Sequence, residues 1–128
     1  MEALIIEEGN NTPKVILDQE NGKFEISGQS LPEDVMGFYE PVFNWLEDYI
    51  RQPNKRTEFN FRLMYFNSAS SKVILDLITL LEEIPVKGAE IEILWHYLEM
   101  DEDMLATGKE FNEITKKIPY QFISYMQD

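Results

Sequence analysis

The sequence reads as an α/β protein: a mixed β-sheet with packed helices, in the order β-β-β-α-β-α-β-α-β. Three observations carry that reading. Short β-branched runs crowd the first thirty residues, apolar residues recur at helical spacing in three later segments, and strand-like alternation falls between those segments. From Thr57 onward strands and helices take turns, as in crossover units. With 128 residues, 44% of them apolar, there is material for one domain, residues 1–128, and a real core.

The elements follow in order. "LIIE" (4–7) and "KVILD" (14–18) are β-branched runs divided by the turn-forming "GNNTP". "QENG" carries an Asn-Gly hairpin signal and leads into "KFEIS", with Phe24 and Ile26 on one face. These three strands predict a meander at one end of the sheet. Ser30 and Glu33 match the Ser-x-x-Glu capping box, and Pro32 suits a first helical turn. Val35, Phe38, Tyr39, Val42, Leu46 and Tyr49 then form one helical face, which Pro41 is expected to kink or split into two short helices.

"TEFNFRLMYF" (57–66) reads as the central strand, with Phe59, Phe61, Leu63 and Tyr65 on one face and Asn60, Arg62, Met64 and Phe66 on the other. Val73, Ile74, Leu77, Ile78, Leu81 and Ile84 define the next helix, which Pro85 ends before Gly88 reverses the chain. "AEIEILWHY" (89–97) is a strand and "EMDEDM" (99–104) an acidic connection. "KEFNEITKKI" (109–118) is a final helix through Phe111, Ile114 and Ile118, and "YQFISY" (120–125) is a last edge strand.

Composition removes several function classes. No stretch approaches the roughly 18 consecutive apolar residues of a membrane span, so no membrane insertion is expected. "MEALIIEEGN" has acidic flanks and too short an apolar core for a secretory signal. The chain has no cysteine, which excludes disulfides, thiolate catalysis and cysteine zinc sites. The expected location is cytoplasmic. With 24 acidic against 11 basic side chains, the net charge of −13 would repel a phosphate backbone, so no nucleic-acid partner is expected. The charge serves solubility, and equally suits a partner with a basic surface.

Catalytic signals are sparse. There is no Gly-x-x-x-x-Gly-Lys loop, no Gly-x-Gly-x-x-Gly and no Gly-x-Ser-x-Gly. His96, the only histidine, sits in a strand-like run with no partner motif, and reads as a structural or surface residue. Glu99, Asp101, Glu102 and Asp103 offer hard oxygen ligands, but not at the spacing of a calcium loop and without its glycine. A solvated acidic loop accounts for them, or a surface that meets a basic partner. Neither a metal nor a cofactor is called for.

The segment "NSASSK" (67–72) remains. Asn and Ser are preferred helix caps, because their oxygens accept from the first free amides of a helix. Asn67, Ser68, Ser70 and Ser71 supply more caps than one helix needs. The segment also lies where the central strand meets a helix, where α/β proteins place functional loops. A phosphate there would meet free amides and the positive end of the helix dipole, with Lys72 nearby.

"YFNSASSK" after a long strand, with "GQSLPEDVMGFYEPVFNWL" upstream and "DEDM" after "LWHYL", resembles the SiaC family of bacterial regulatory phosphoproteins. The likeness runs from "LIIEEGNNTPKVILD" to the final helix. It implies a STAS-like fold, related to anti-sigma-factor antagonists, and a binding switch rather than an enzyme. By that resemblance a Ser/Thr kinase phosphorylates a hydroxyl in this loop and a PP2C-type phosphatase removes the phosphate. The unphosphorylated form binds an effector, foremost a diguanylate cyclase, linking the switch to cyclic-di-GMP and biofilm control.

The acceptor slot falls on Ser68, where the family carries threonine; Ser70 and Ser71 are the alternatives. Asn67, Ala69, Lys72, Asp76, Asp101, Glu102 and Asp103 are the candidate partner contacts. Two rival functions are an anti-sigma-factor antagonist, against which the Asn67-Ser68-Ala69-Ser70 turn lacks the expected acid and glycine, and a small serine- or metal-dependent hydrolase, for which the partner motifs are missing.

Overall fold

The computed structural model describes residues 1–127. Six strands form one sheet in the order in which they occur in the chain: β1 (Leu4–Ile6), β2 (Lys14–Asp18), β3 (Lys23–Ser30), β4 (Arg56–Phe66), β5 (Glu90–Leu98) and β6 (Tyr120–Tyr125). The first three pair antiparallel, as the hairpin signals predict. β3 to β6 pair in parallel, because each pair is joined by a helical crossover. The helices are α1 (Val35–Tyr49), α2 (Ser68–Leu81), the single turn α3 (Glu83–Val86) and α4 (Glu102–Ile114). The order is the one the sequence implies, with α3 as an added turn through Pro85.

All the helices serve one core. Val15, Leu17, Phe24, Ile26, Phe59, Phe61, Leu63, Ile91, Ile93 and Trp95 alternate inward from four of the strands, β2 to β5, against Tyr39, Leu46, Tyr49, Ile74, Leu77, Ile78 and Phe111. The opposite sheet face carries Glu25, Asn60, Arg62 and Glu92, and none of these is buried. Thus β4, the central strand of the prediction, delivers its C-terminal end and the start of α2 to one edge of the helical layer.

Four local expectations are corrected. Ser30 is not the cap of α1. Its pairing with Phe66 keeps it in β3, fully buried, and Asp34 caps instead, its Oδ1 accepting from the Gly37 amide at 3.0 Å. Pro41 lies inside one helix rather than between two. Both it and Gly37, whose carbonyl it leaves without a helical donor, are on the exposed side, open to solvent.

Tyr65 does not continue the inward face of β4. The pairing of β3 with β4 steps from Gly28–Leu63 to Gln29–Tyr65, an extra residue at Met64 that reverses the alternation. Tyr65 is therefore 55% exposed, and Phe66 turns in to make an edge-on contact with Trp95. Finally, the acidic run is less a connection than a helix start. α4 begins at Glu102, seven residues before the predicted helix, and ends at Ile114, leaving Ile118 buried beyond it.

Candidate functional site

The β4–α2 junction is held by Asn67 and by three hydroxyls, those of Ser30, Tyr39 and Ser70. Asn67 is the cap of α2: its Oδ1 accepts from the Ser70 amide at 2.9 Å, and its carbonyl accepts from the Ser71 amide at 2.9 Å. Its own amide donates to the Ser30 carbonyl at 3.3 Å, which ties the junction to the end of β3. Beneath it the Tyr39 and Ser30 hydroxyls lie 2.7 Å apart, and Ser30 donates to Ser70 Oγ at 2.9 Å. Burial pushes the Tyr39 phenol up to about 12, against the opposing pull of its Ser30 hydrogen bond. Tyr39 stays protonated and supplies the proton that starts this chain.

The loop hydroxyls thereby divide into distinct roles. Ser70 is fully buried and used by the fold, Ser71 is half-buried, and Ser68 is exposed at the first position of α2. Among the described residues, the Ser68 and Ala69 amides have no acceptor, because Asn67 engages only those of Ser70 and Ser71. Two free N–H groups at the positive end of a 14-residue helix form an anion-accepting surface. Lys72 stands four positions after Ser68, on the same side of the helix, and is exposed like Ala69 and Asp76.

A shallow hollow of about 290 Å³ lies beside this turn, lined by Phe66, Asn67, Ser68, Ser71 and Thr107. Thr107 belongs to α4, so the hollow joins the serine turn to the acidic helix. Asp101 caps α4, accepting from the Met104 amide at 3.0 Å, and Glu102 and Asp103 fill its first turn, where negative charge suits the dipole. The Thr107 hydroxyl donates to the Asp103 carbonyl at 3.0 Å. The acids therefore have a folding role, and Glu102 and Asp103 are also exposed.

Among the described residues no group of three or more acidic or histidine side chains is placed to hold a metal ion. His96 is hydrogen-bonded at 2.9 Å to Asn60 and not to any serine. No helix of the described residues is long and apolar enough to cross a membrane.

Sequence reasoning missed Ser30 and Tyr39 as supports of the turn, and Thr107 as its neighbour. The Ser30 hydroxyl matched a capping motif that the fold does not use. Thr107 gives no signal in the sequence, because its position depends on how α4 packs.

Comparison with known proteins agrees with this fold. The family profile described as SiaC family regulatory phosphoprotein matches residues 6–125. An uncharacterized protein of Pseudomonas aeruginosa strain UCBPP-PA14 is 30% identical over 103 residues, 80% of this chain and 82% of that one. The crystal structure of apo-SiaC from Pseudomonas aeruginosa is similar with a TM-score of 0.85 and 28% identity, covering 96% of this chain and 99% of that one. Also similar is the crystal structure of the diguanylate cyclase SiaD in complex with its activator SiaC, from the same organism. There the TM-score is 0.87 at 28% identity, with 95% of this chain and 99% of that one covered.

Proposed function

The chain belongs to the SiaC family of regulatory phosphoproteins, and on that premise we propose that it is a cytoplasmic switch whose unphosphorylated form binds and regulates a diguanylate cyclase. A Ser/Thr kinase adds phosphate to Ser68 and a PP2C-type phosphatase removes it. The observation that carries the assignment is the division of the loop hydroxyls: Ser68 is exposed beside two free amides, whereas Ser70 is buried in a hydrogen-bonded chain. The related SiaC that activates a diguanylate cyclase supports the class of effector.

The physical logic is that a phosphate carrying about −1.5 to −2 charges leaves the fold in place and changes the surface. At the start of α2 it would sit among free donors, with Lys72 one turn away, so the helix gains rather than loses. An effector docked over Ser68 and the hollow beside it would instead meet a desolvated dianion. The exposed Ala69, Lys72, Asp76, Glu102 and Asp103 are the contacts assigned to that effector, with Asn67 and Asp101 holding the two helix starts in shape.

The test is to incubate the protein with its cognate kinase and ATP, map the phosphate by mass spectrometry, and titrate both forms against the cyclase. Phosphate on Ser68, loss of cyclase binding on phosphorylation and constitutive binding by Ser68→Ala are the expected results. Phosphate found solely outside residues 68–71, or equal binding by both forms, would overturn the proposal.

A further inference from the structure

The two edges of the sheet are treated differently. At one edge β1 is three residues long and runs into Glu7 and Glu8, a short and charged edge of the kind that discourages pairing. At the other edge β6, "YQFISY", has six residues with no charge, no proline and no glycine, in a chain in which 27% of residues are charged. Its backbone phase is fixed by β5: Ile93 N donates to the Pro119 carbonyl and Glu99 N to the Tyr125 carbonyl. In a parallel ladder this turns the N–H and C=O groups of Tyr120, Phe122 and Ser124 outward. Those groups have no partner among the described residues.

The side chains around this edge are also incompletely covered. Tyr120 and Phe122 stack with ring centroids 6.0 Å apart on the helical face and, like Ile123 and Tyr125 on the other face, are half-buried. Ile114 is 58% exposed at the end of α4, beside Thr115, whose hydroxyl lies 2.6 Å from that of Tyr120. Met100 and Met126 border a small, mainly apolar hollow with Leu98 and Tyr125 at the far end of the strand.

We propose that β6 pairs antiparallel with β6 of a second copy of this chain, about a two-fold axis at Phe122, to form a symmetric dimer with one continuous sheet. That register sets Tyr120 against Ser124 of the other copy and Phe122 against its counterpart, so every outward N–H and C=O finds a partner. The ends of the strand are complementary in charge. Lys116 and Lys117 precede it, with the Glu82 carboxylate accepting from the Lys117 amide, while Glu99, whose backbone amide donates to the Tyr125 carbonyl, lies at its other end. Antiparallel pairing brings each copy's lysines to the other copy's Glu99. An uncharged strand is also the place where two chains of −13 meet with least repulsion. This inference does not depend on the phosphoserine reading.

Sedimentation equilibrium of the full chain tests it, with Ser124→Pro as the variant. Proline there deletes an amide that points away from β5, so the fold is kept while the new ladder loses two hydrogen bonds and gains a clash. At ~1 kcal/mol each, the dimer dissociation constant rises roughly 30-fold or more. Because the chain lacks cysteine, Phe122→Cys provides a second readout that needs no stability comparison. Hydrogen-bonded antiparallel partners lie about 5.5 Å apart at Cα, within disulfide range, so Phe122→Cys cross-links to itself and Gln121→Cys does not.

A concentration-dependent dimer weakened by Ser124→Pro, with self-linking at 122, supports the proposal. A monomer at all concentrations, or a dimer unaffected by Ser124→Pro, overturns it. Loss of cyclase binding by Ser124→Pro from a chain that is always monomeric overturns it too, and assigns the edge to the effector instead.

Discussion

Ser30 Oγ donates a 2.9 Å hydrogen bond to Ser70 Oγ, joining the last residue of β3 to the first turn of α2 across 40 positions of sequence. The Tyr39 hydroxyl, 2.7 Å from Ser30, ties α1 to the same point. Three elements thus hold the turn that carries Ser68, and all three hydroxyls are fully buried residues. Ser30→Ala would strand the other two hydroxyls without partners. It is expected to cost about 2 kcal/mol, seen as a lower denaturant midpoint at an unchanged slope. Tyr39→Phe removes only the end of the chain and should cost about half as much.

The same bonds leave Ser68 exposed and Ser70 buried, which is what the proposed phosphorylation requires. Ser70→Ala should leave phosphate incorporation at the wild-type level while destabilising the fold by about 1 kcal/mol. Ser68→Ala should do the reverse, abolishing incorporation with a stability change within about 0.5 kcal/mol, as at other exposed positions. Phosphate counting by intact-mass spectrometry, beside urea melts, reads both. Equal loss of phosphate in the two variants would contradict the division of roles.

Most of the fold was legible because its signals are local. The Asn21-Gly22 turn, the 3.6-residue spacing of Val73 to Leu81 and the alternation of Thr57 to Leu63 each act within a few residues of chain. The serine turn was legible for the same reason, since Asn67 caps the helix that follows it. What escaped depends on contacts far apart in sequence. Ser30 reads as a cap until β4 pairs with it, Tyr65 reads as core until the extra residue at Met64 reverses the strand, and Thr107 reads as nothing until α4 packs beside α2.

Tyr65 now stands 55% exposed, two residues before Asn67. An exposed aromatic ring beside the proposed acceptor serine is placed to supply binding energy, since tyrosine is enriched among the few side chains that dominate interfaces. Tyr65→Ala is expected to weaken cyclase binding at least tenfold, about 1.4 kcal/mol or more, while moving the denaturation midpoint little. Calorimetric titration checks the first and a urea melt the second. Unchanged affinity would place the effector elsewhere on the surface.

Gly108 sets the distance between α4 and the sheet. A Cβ there would lie 2.5 Å from Trp95 Nε1 and 2.6 Å from Cδ1, and the indole is held by its 3.0 Å hydrogen bond to the Met104 carbonyl. Trp95 is also buried between Phe61 and Phe111, so the ring cannot yield. Gly108→Ala must push α4 outward, at a cost of about 1–3 kcal/mol typical of overpacking. Because Thr107 precedes it, the hollow beside Ser68 should widen, and cyclase affinity should fall together with stability. This sets it apart from Tyr65→Ala, which acts on affinity alone.

His96 makes stability depend on pH in a direction that the structure fixes. Partial burial holds its pKa below the usual value of 6.5, with the Arg62 guanidinium adding to the effect and Glu25 opposing it. The folded state therefore prefers neutral imidazole, and below pH 6.5 the unfolded chain binds the proton first. Stability from this residue is complete above the unfolded pKa and is lost as pH falls from about 6.5 toward the lowered folded value. His96→Gln, which keeps a hydrogen-bonding group beside Asn60, should flatten the dependence between pH 5 and 7. Arg62→Gln should shrink it in part, by removing one of the two causes and leaving the burial. Urea midpoints measured across that range for the three proteins supply the comparison. A slope that survives His96→Gln would assign the dependence to the carboxylates.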